Sequence, residues 1–151
     1  MSAAIILCAG KGTRMNDDTK SKVVFKACGI PVIKRLIAEM RKGGVTRFVI
    51  VVGHKAETVK DTLSGEEGVS YAYQYEQKGT GHAAECGVNE LISSGYDGNV
   101  IISMGDKIVS SDIISELLSV HKNAGLVNSV VPVSENIGGG RAIRRITSLM
   151  K

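Results

Sequence analysis

The run AAIILCAG at residues 3–10 is apolar up to Cys8 and closes on a glycine, so Ala3 to Cys8 reads as a buried strand feeding a loop. Two further runs behave the same way, RFVIVV at 47–52 and NVIISM at 99–104, and VSYAYQY at 69–75 alternates weakly, as a strand with one more exposed face would. Between these runs the apolar period becomes helical. Pro31 is a good first-turn residue, and Val32, Ile33, Leu36, Ile37 and Met40 recur at helical spacing until Gly43-Gly44 stops them. Gly53-His54 turns into a second helix through Val59, Thr62 and Leu63. Gly79-Thr80-Gly81 opens a third over Ala83 to Ser93, and Asp112 to Asn123 reads as a fourth with Ile113, Leu117 and His121 in register. A further strand is predicted over Gly125 to Val133. Strand and helix alternate throughout, and that order predicts an α/β, three-layer, Rossmann-like open sheet, mostly parallel, with helices on both faces. Such sheets take ligands on the loops at the carboxyl ends of their strands.

The 151 residues make about one domain, so 1–151 is read as a single unit. With 43% hydrophobic and 23% charged residues there is enough apolar surface to form a core, which excludes a disordered chain. The uncharged stretch from Met1 to Gly10 is too short to cross a bilayer and lacks the basic start of a signal peptide, so no membrane partner and a cytoplasmic location are expected. Cys8, Cys28 and Cys86 are odd in number and widely spaced, and they read as reduced, structural thiols. Glycine is over-represented, 18 of 151 or about 12% against roughly 7% in an average chain, which points to shaped loops. The net charge of +4 is uneven. Arg141, Arg144, Arg145 and Lys151 stand without an acid at the end of the chain, and Lys11, Arg14, Lys20, Lys22 and Lys26 face only Asp17 and Asp18. Aromatic content is 4% with no Trp, and Phe25 alone interleaves with these charges, so nucleic acid is a poor partner and a small phosphorylated ligand a better one.

The loop behind the first strand, Leu7-Cys8-Ala9-Gly10-Lys11-Gly12-Thr13-Arg14-Met15, sits where this architecture places a ligand. It is not a P-loop, because Ile5 stands where the first glycine is needed and Gly12 follows Gly10-Lys11. As a dinucleotide fingerprint it is weak at best, since Met15 replaces the third glycine and a long basic loop follows. What remains is a loop whose backbone N–H groups can approach phosphate oxygens, with Lys11, Arg14 and Lys22 supplying charge. On the loop alone an ordinary glycine turn reads equally well, and Asp106 after Gly105 reads equally as a turn former. His54 and His82 lack a second ligand at metal spacing and fit hydrogen-bonding or packing roles better than zinc, and His121 reads as structural.

Taken in order, LCAGKGTRM at 7–15, the lysine inside SKVVF at 21–25, GIPVI at 29–33, VVGH at 51–54, YQYEQKGTGHA at 73–83 and MGD at 104–106 resemble the sugar-phosphate nucleotidyltransferases. The similarity is to the uridylyltransferase domain of bacterial UTP:N-acetylglucosamine-1-phosphate uridylyltransferases in particular. It runs from residue 3 to about 146, and EQKGTGHA at 76–83 is its most specific piece. The resemblance implies that Leu7, Ala9 and Gly10 touch the nucleoside, with Lys11 beside them. Gly12, Thr13 and Arg14 would hold the β- and γ-phosphates, and Lys22 would reach the α-phosphate and the incoming sugar phosphate. Gln74 would read the uracil edge, with Gln77, Gly79 and Thr80 closing over base and ribose. Gly105 and Asp106 complete the nucleotide site, Asp106 binding Mg²⁺, and Gly140 falls near the sugar. Arg14, Lys22 and Asp106 are thus the implied catalytic residues, Mg²⁺ the implied cofactor, and an NTP with a sugar 1-phosphate the implied partners. The chemistry agrees, because a phosphate monoester nucleophile is already anionic and needs positioning and charge neutralisation rather than a Ser or His base.

Two departures qualify the resemblance. Lys107-Ile108-Val109 replaces the hydrophobic-proline-leucine sequence usual after the aspartate, and the family domain continues beyond residue 151 with a second metal ligand and most sugar contacts. The expectation is therefore a nucleotide-binding portion that binds UTP with negligible transfer by itself, and the alternative is a non-catalytic nucleotide-binding or regulatory module.

Overall fold

Alternating strand and helix patterns produce, in chain order, β1 (Ser2–Leu7), a single 3-10 turn (Lys22–Val24), the short β2 (Lys26–Ala27) and β3 (Ile30–Pro31), α1 (Val32–Lys42), β4 (Arg47–Val52), α2 (Ala56–Thr62), β5 (Val69–Tyr73), α3 (Thr80–Ser93), β6 (Asn99–Met104) and α4 (Ser111–His121). This computed structural model describes residues 1–10, 12 and 19–121. The strand predicted over 125–133 and the basic tail lie outside them, as does the side chain of His121.

β1 and β4 are buried along nearly their whole length because they are the two central strands, in the order β5-β4-β1-β6 with every neighbour parallel. Successive side chains point to opposite faces. Ala4, Ile6, Phe48, Ile50 and Val52 therefore pack against α1, α2 and α4, through Ile33, Leu36, Ile37, Met40, Val59, Leu63 and Ile114. Ala3, Ile5, Leu7, Val49 and Val51 pack against α3, through Ala83 and Leu91. Helices cover both faces of a parallel sheet, as the sequence pattern predicts. On β6, which ends the sheet among the described residues, Val100 and Ile102 stay 40% and 51% exposed on the α3 side.

The helix ends follow local rules. After α1 the Gly44 N–H donates to the Arg41 carbonyl and the Val45 N–H to that of Met40, both at 3.0 Å, the paired bonds of a Schellman stop. Gly44 takes φ +98°, which explains a glycine at that step. β1 is shifted by one residue, Ser2–Leu7 against Ala3 to Cys8, α4 starts one residue early at Ser111, and three further boundaries differ for identifiable reasons. Pro31 caps α1 from the hairpin β2–β3 rather than sitting in its first turn, because Cys28 and Gly29 take positive φ and fold 26–31 back on itself. β5 ends at Tyr73, two residues early, since β4 stops at Val52 and its last carbonyl accepts from the Gln74 N–H at 2.8 Å. α3 begins at Thr80 rather than Ala83, because Gly79, at φ +99°, already turns the chain into the helix.

Candidate functional site

Three loops meet at the carboxyl ends of β1, β5 and β6. Leu7, Ala9 and Gly10 from the first, Gln74, Gln77, Gly79 and Thr80 from the second, and Met104 at the end of β6 line one cleft together with Lys22 and Ala83.

Lys22 enters the cleft from the 3-10 turn. Its neighbours Ser21 and Val23 are 3% and 0% exposed, and the Ser21 N–H donates to Thr58 Oγ1 at 3.2 Å, so the backbone on either side is fixed and the long side chain is directed outward. The Lys22 ammonium donates to Asp106 Oδ2 at 2.7 Å across 84 residues of sequence. Partial burial of Asp106 works to raise its pKa, but the hydrogen bond and charge of Lys22 outweigh it and hold the carboxyl below its usual range. Asp106 owes its position to Gly105, whose N–H donates to the Leu7 carbonyl at 3.0 Å. A Cβ at Gly105 would lie 2.5 Å from Cys8 Sγ, so only glycine lets the end of β6 close against β1. Cys8 is buried and its thiol is pushed up to about 12, by desolvation first and the Asp106 charge second. It stays a neutral packing group, as do structural cysteines generally.

On the opposite loop, Gln77 Nε2 donates to the Ala9 carbonyl at 2.7 Å and ties the β5–α3 loop to the β1 loop. Gln74 is 5% exposed, and its Nε2 donates to the Gly79 carbonyl at 2.9 Å and lies 3.2 Å from His82 Nδ1. His82 Nδ1 also lies 3.0 Å from the Glu76 carbonyl, and its Nε2 lies 3.9 Å from Cys86 Sγ. His82 thus makes hydrogen bonds, while His54 is exposed in the turn after β4. Among the described residues no group of three or more His, Cys, Asp or Glu could cage a metal.

Of the residues singled out from sequence, Leu7, Ala9, Gly10, Lys22, Gln74, Gln77, Gly79 and Thr80 share the cleft, and Gly105 and Asp106 stand at its edge through the Lys22 contact. Gly12 adopts φ +65° with Lys22 Cβ 3.6 Å from where its own Cβ would be. Lys11, Thr13, Arg14 and Gly140 lie outside the described residues. Sequence reasoning missed Met104 and Ala83 as lining residues. Strand parity could have found Met104, which is in register with Leu7.

A parallel sheet covered by helices on both faces, with its cleft at the carboxyl ends of β1, β5 and β6, is a three-layer α/β fold. Residues 4–141 match the family model of the MobA-like NTP transferase domain, and the chain belongs to that family. The bifunctional protein GlmU of Geobacter sulfurreducens is 39% identical over 145 residues, covering 94% of this chain and 30% of that protein. GlmU of Thermoanaerobacter pseudethanolicus is 41% identical over 145 residues, covering 93% and 30%. The chain thus spans about 30% of the length of these relatives. Among solved structures, a nucleotidyl transferase from Methanothermobacter thermautotroptrophicus superposes with TM-score 0.65 at 23% identity, over 79% of this chain and 57% of that one. Rv0371c from Mycobacterium tuberculosis, in complex with manganese, gives TM-score 0.61 at 13% identity over 81% and 60%, a likeness of fold. No helix among the described residues is long and apolar enough to cross a membrane.

Proposed function

We propose that the chain forms the nucleotide-binding part of a uridylyltransferase, which takes UTP and a sugar 1-phosphate, best an N-acetylhexosamine 1-phosphate, to UDP-sugar and pyrophosphate. The observation that carries this reading is the Lys22–Asp106 pair, a cation and an ionised carboxylate held 2.7 Å apart where Lys22 shares a cleft with the buried amide of Gln74. The similarity to GlmU supports the choice of substrates.

In such a transfer an oxygen of the sugar phosphate attacks the α-phosphorus, the new P–O bond forms as the α–β bridging bond breaks, and pyrophosphate leaves with the electron pair. No proton has to be removed, so the residues act by position and charge. Lys22 would neutralise the α-phosphate and the attacking phosphate, while Leu7, Ala9, Gly10 and the Gln74–Thr80 segment, which line the same cleft, would hold the nucleoside. The donor set fits a Mg²⁺-type cation shared with substrate phosphates, since a hard cation that keeps several waters needs only one or two carboxylates and Asp106 provides one in ionised form. Bound there, it would supply Lewis-acid neutralisation of the α-phosphate.

Calorimetry with UTP and Mg²⁺, paired with a pyrophosphate assay after adding N-acetylglucosamine 1-phosphate, tests the reading. UTP binding that weakens in Asp106→Asn and needs more Mg²⁺ is expected, and failure to bind any NTP would refute it. A second reading, binding without turnover, is favoured by the exposed Lys107 beside Asp106, whose charge adds to that of Lys22. UTP binding whose Mg²⁺ requirement is unchanged in Asp106→Asn would select it.

A further inference from the structure

His82 stands beside the cleft without lining it, yet its ring decides what the buried Gln74 can offer a ligand. Nδ1 of His82 has two competing neighbours, the Gln74 amide nitrogen at 3.2 Å and the Glu76 carbonyl at 3.0 Å. A ring nitrogen either carries a proton or accepts one, so it can serve only one of them. If Nδ1–H donated to Glu76, it would face the N–H of Gln74 and leave one amide proton unsatisfied on a side chain that is 5% exposed. If Nδ1 accepts from Gln74, the Glu76 carbonyl still accepts from the Lys78 N–H at 2.9 Å, and the Nε2–H is left toward Cys86 Sγ at 3.9 Å. The second arrangement costs less.

We infer that His82, in its neutral Nε2–H form, is a positioning residue that accepts the second amide proton of Gln74 and thereby turns Gln74 Oε1 to the cleft as an acceptor. Both protons of Nε2 are then committed, one to Gly79 and one to His82, and Oε1 has no protein partner among the described residues. A ligand edge that meets Gln74 must bring an N–H. Uracil does so at N3, between its two carbonyl oxygens, whereas cytosine has a bare N3 and brings an N–H only at its exocyclic N4, displaced along the edge. This last step rests on the proposed uridine reading, whereas the Gln74–His82 bond does not.

The ligand-free protein decides the bond. Imidazole ¹⁵N–¹H correlation spectra at neutral pH are expected to show His82 protonated on Nε2 and bare on Nδ1, with the Gln74 side-chain protons slow to exchange. A His82 protonated on Nδ1, or Gln74 protons equally protected in His82→Leu, would overturn the inference. The base preference then reads its consequence by calorimetry with UTP and CTP. Asn places Oδ1 where Nδ1 stands and Gln does not, so His82→Asn should keep the preference for UTP, while His82→Leu and His82→Gln should lose about three- to tenfold of it, the range of one hydrogen bond. Equal preference in all three variants would overturn the positioning role. A wild-type protein with the expected tautomer but no preference for UTP would instead refute the uridine reading and leave the Gln74–His82 bond established. Thermal melting of each variant separates these effects from loss of fold.

Discussion

Replacing Gly87 by alanine tests how α3 is held against the sheet. A Cβ at this position would lie 2.4 Å from Ile5 Cγ2 and 3.1 Å from Val51 Cγ2, both on fully buried side chains. Carbon atoms pack best at about 3.5–4.0 Å, so either α3 lifts off β1 by roughly 1 Å or Ile5 leaves its rotamer. Overpacking of this kind costs about 1–3 kcal/mol. The same change contributes about 0.8–1.0 kcal/mol of helix propensity in the other direction. The net loss is then on the order of 1 kcal/mol, or a melting temperature lower by about 2–4 °C for a chain of this size. Gly81, in the first turn of the same helix, has nothing within 4 Å of its Cβ position and serves as the control. Urea unfolding followed by circular dichroism should place Gly87→Ala about 1–3 kcal/mol below Gly81→Ala, because the propensity gain largely cancels between them. Lifting α3 also moves Thr80 and the cleft edge, so Gly87→Ala should weaken UTP binding as well. If Gly87→Ala proves as stable as Gly81→Ala, the close approach of α3 to Ile5 is wrong.

Lys22→Met should weaken UTP binding about tenfold or more, the effect of removing one charged contact, while the partly exposed pair it breaks is worth only about 0–1 kcal/mol of stability; unchanged UTP binding would remove Lys22 from the site. Asp106 has a folded pKa below its usual 3.8, so its contribution to stability is present above that value and is lost as pH falls through the lower folded value. Asp106→Asn should therefore unfold with less pH dependence below about pH 4 than the parent chain, as read by acid melting curves. At pH 8 a maleimide should label the exposed Cys28 at once and the buried Cys8 only after denaturant is added, and rapid labelling of Cys8 in the folded chain would contradict its packing.

Periodicity made the sheet legible, because β1, β4 and β6 are short stretches dominated by apolar residues and α1 keeps its buried residues at helical spacing. Their left-to-right order is not written in any local pattern. It comes from which runs pair, and β6 pairs with β1, the strand farthest from it in sequence among the four. Within the site, Lys22, Gln74, Gly79 and Asp106 were legible through a resemblance and not through spacing, since a lysine in a loop has no period to betray it. The hairpin at 26–31 was missed because its turn uses Cys28 at φ 49°, a residue with little turn signature. His82 was legible only as a hydrogen-bonding histidine, for its partner Gln74 sits eight residues back, across a turn that no helical or strand rule predicts.

The pairing of β6 with β1 also orders events in time. Lys22 and Asp106 meet across 84 residues, and the Leu7 carbonyl that fixes Gly105 belongs to the first strand made. A growing chain can assemble β1, β4 and β5 with their helices from neighbouring segments, but the charged end of the cleft appears only when β6 docks, a contact with high entropic cost in the folding nucleus. A nucleotide that spans both ends of the cleft has nothing complete to hold before that step. It should therefore act on the finished protein by slowing its unfolding, and leave the rate of folding almost unchanged.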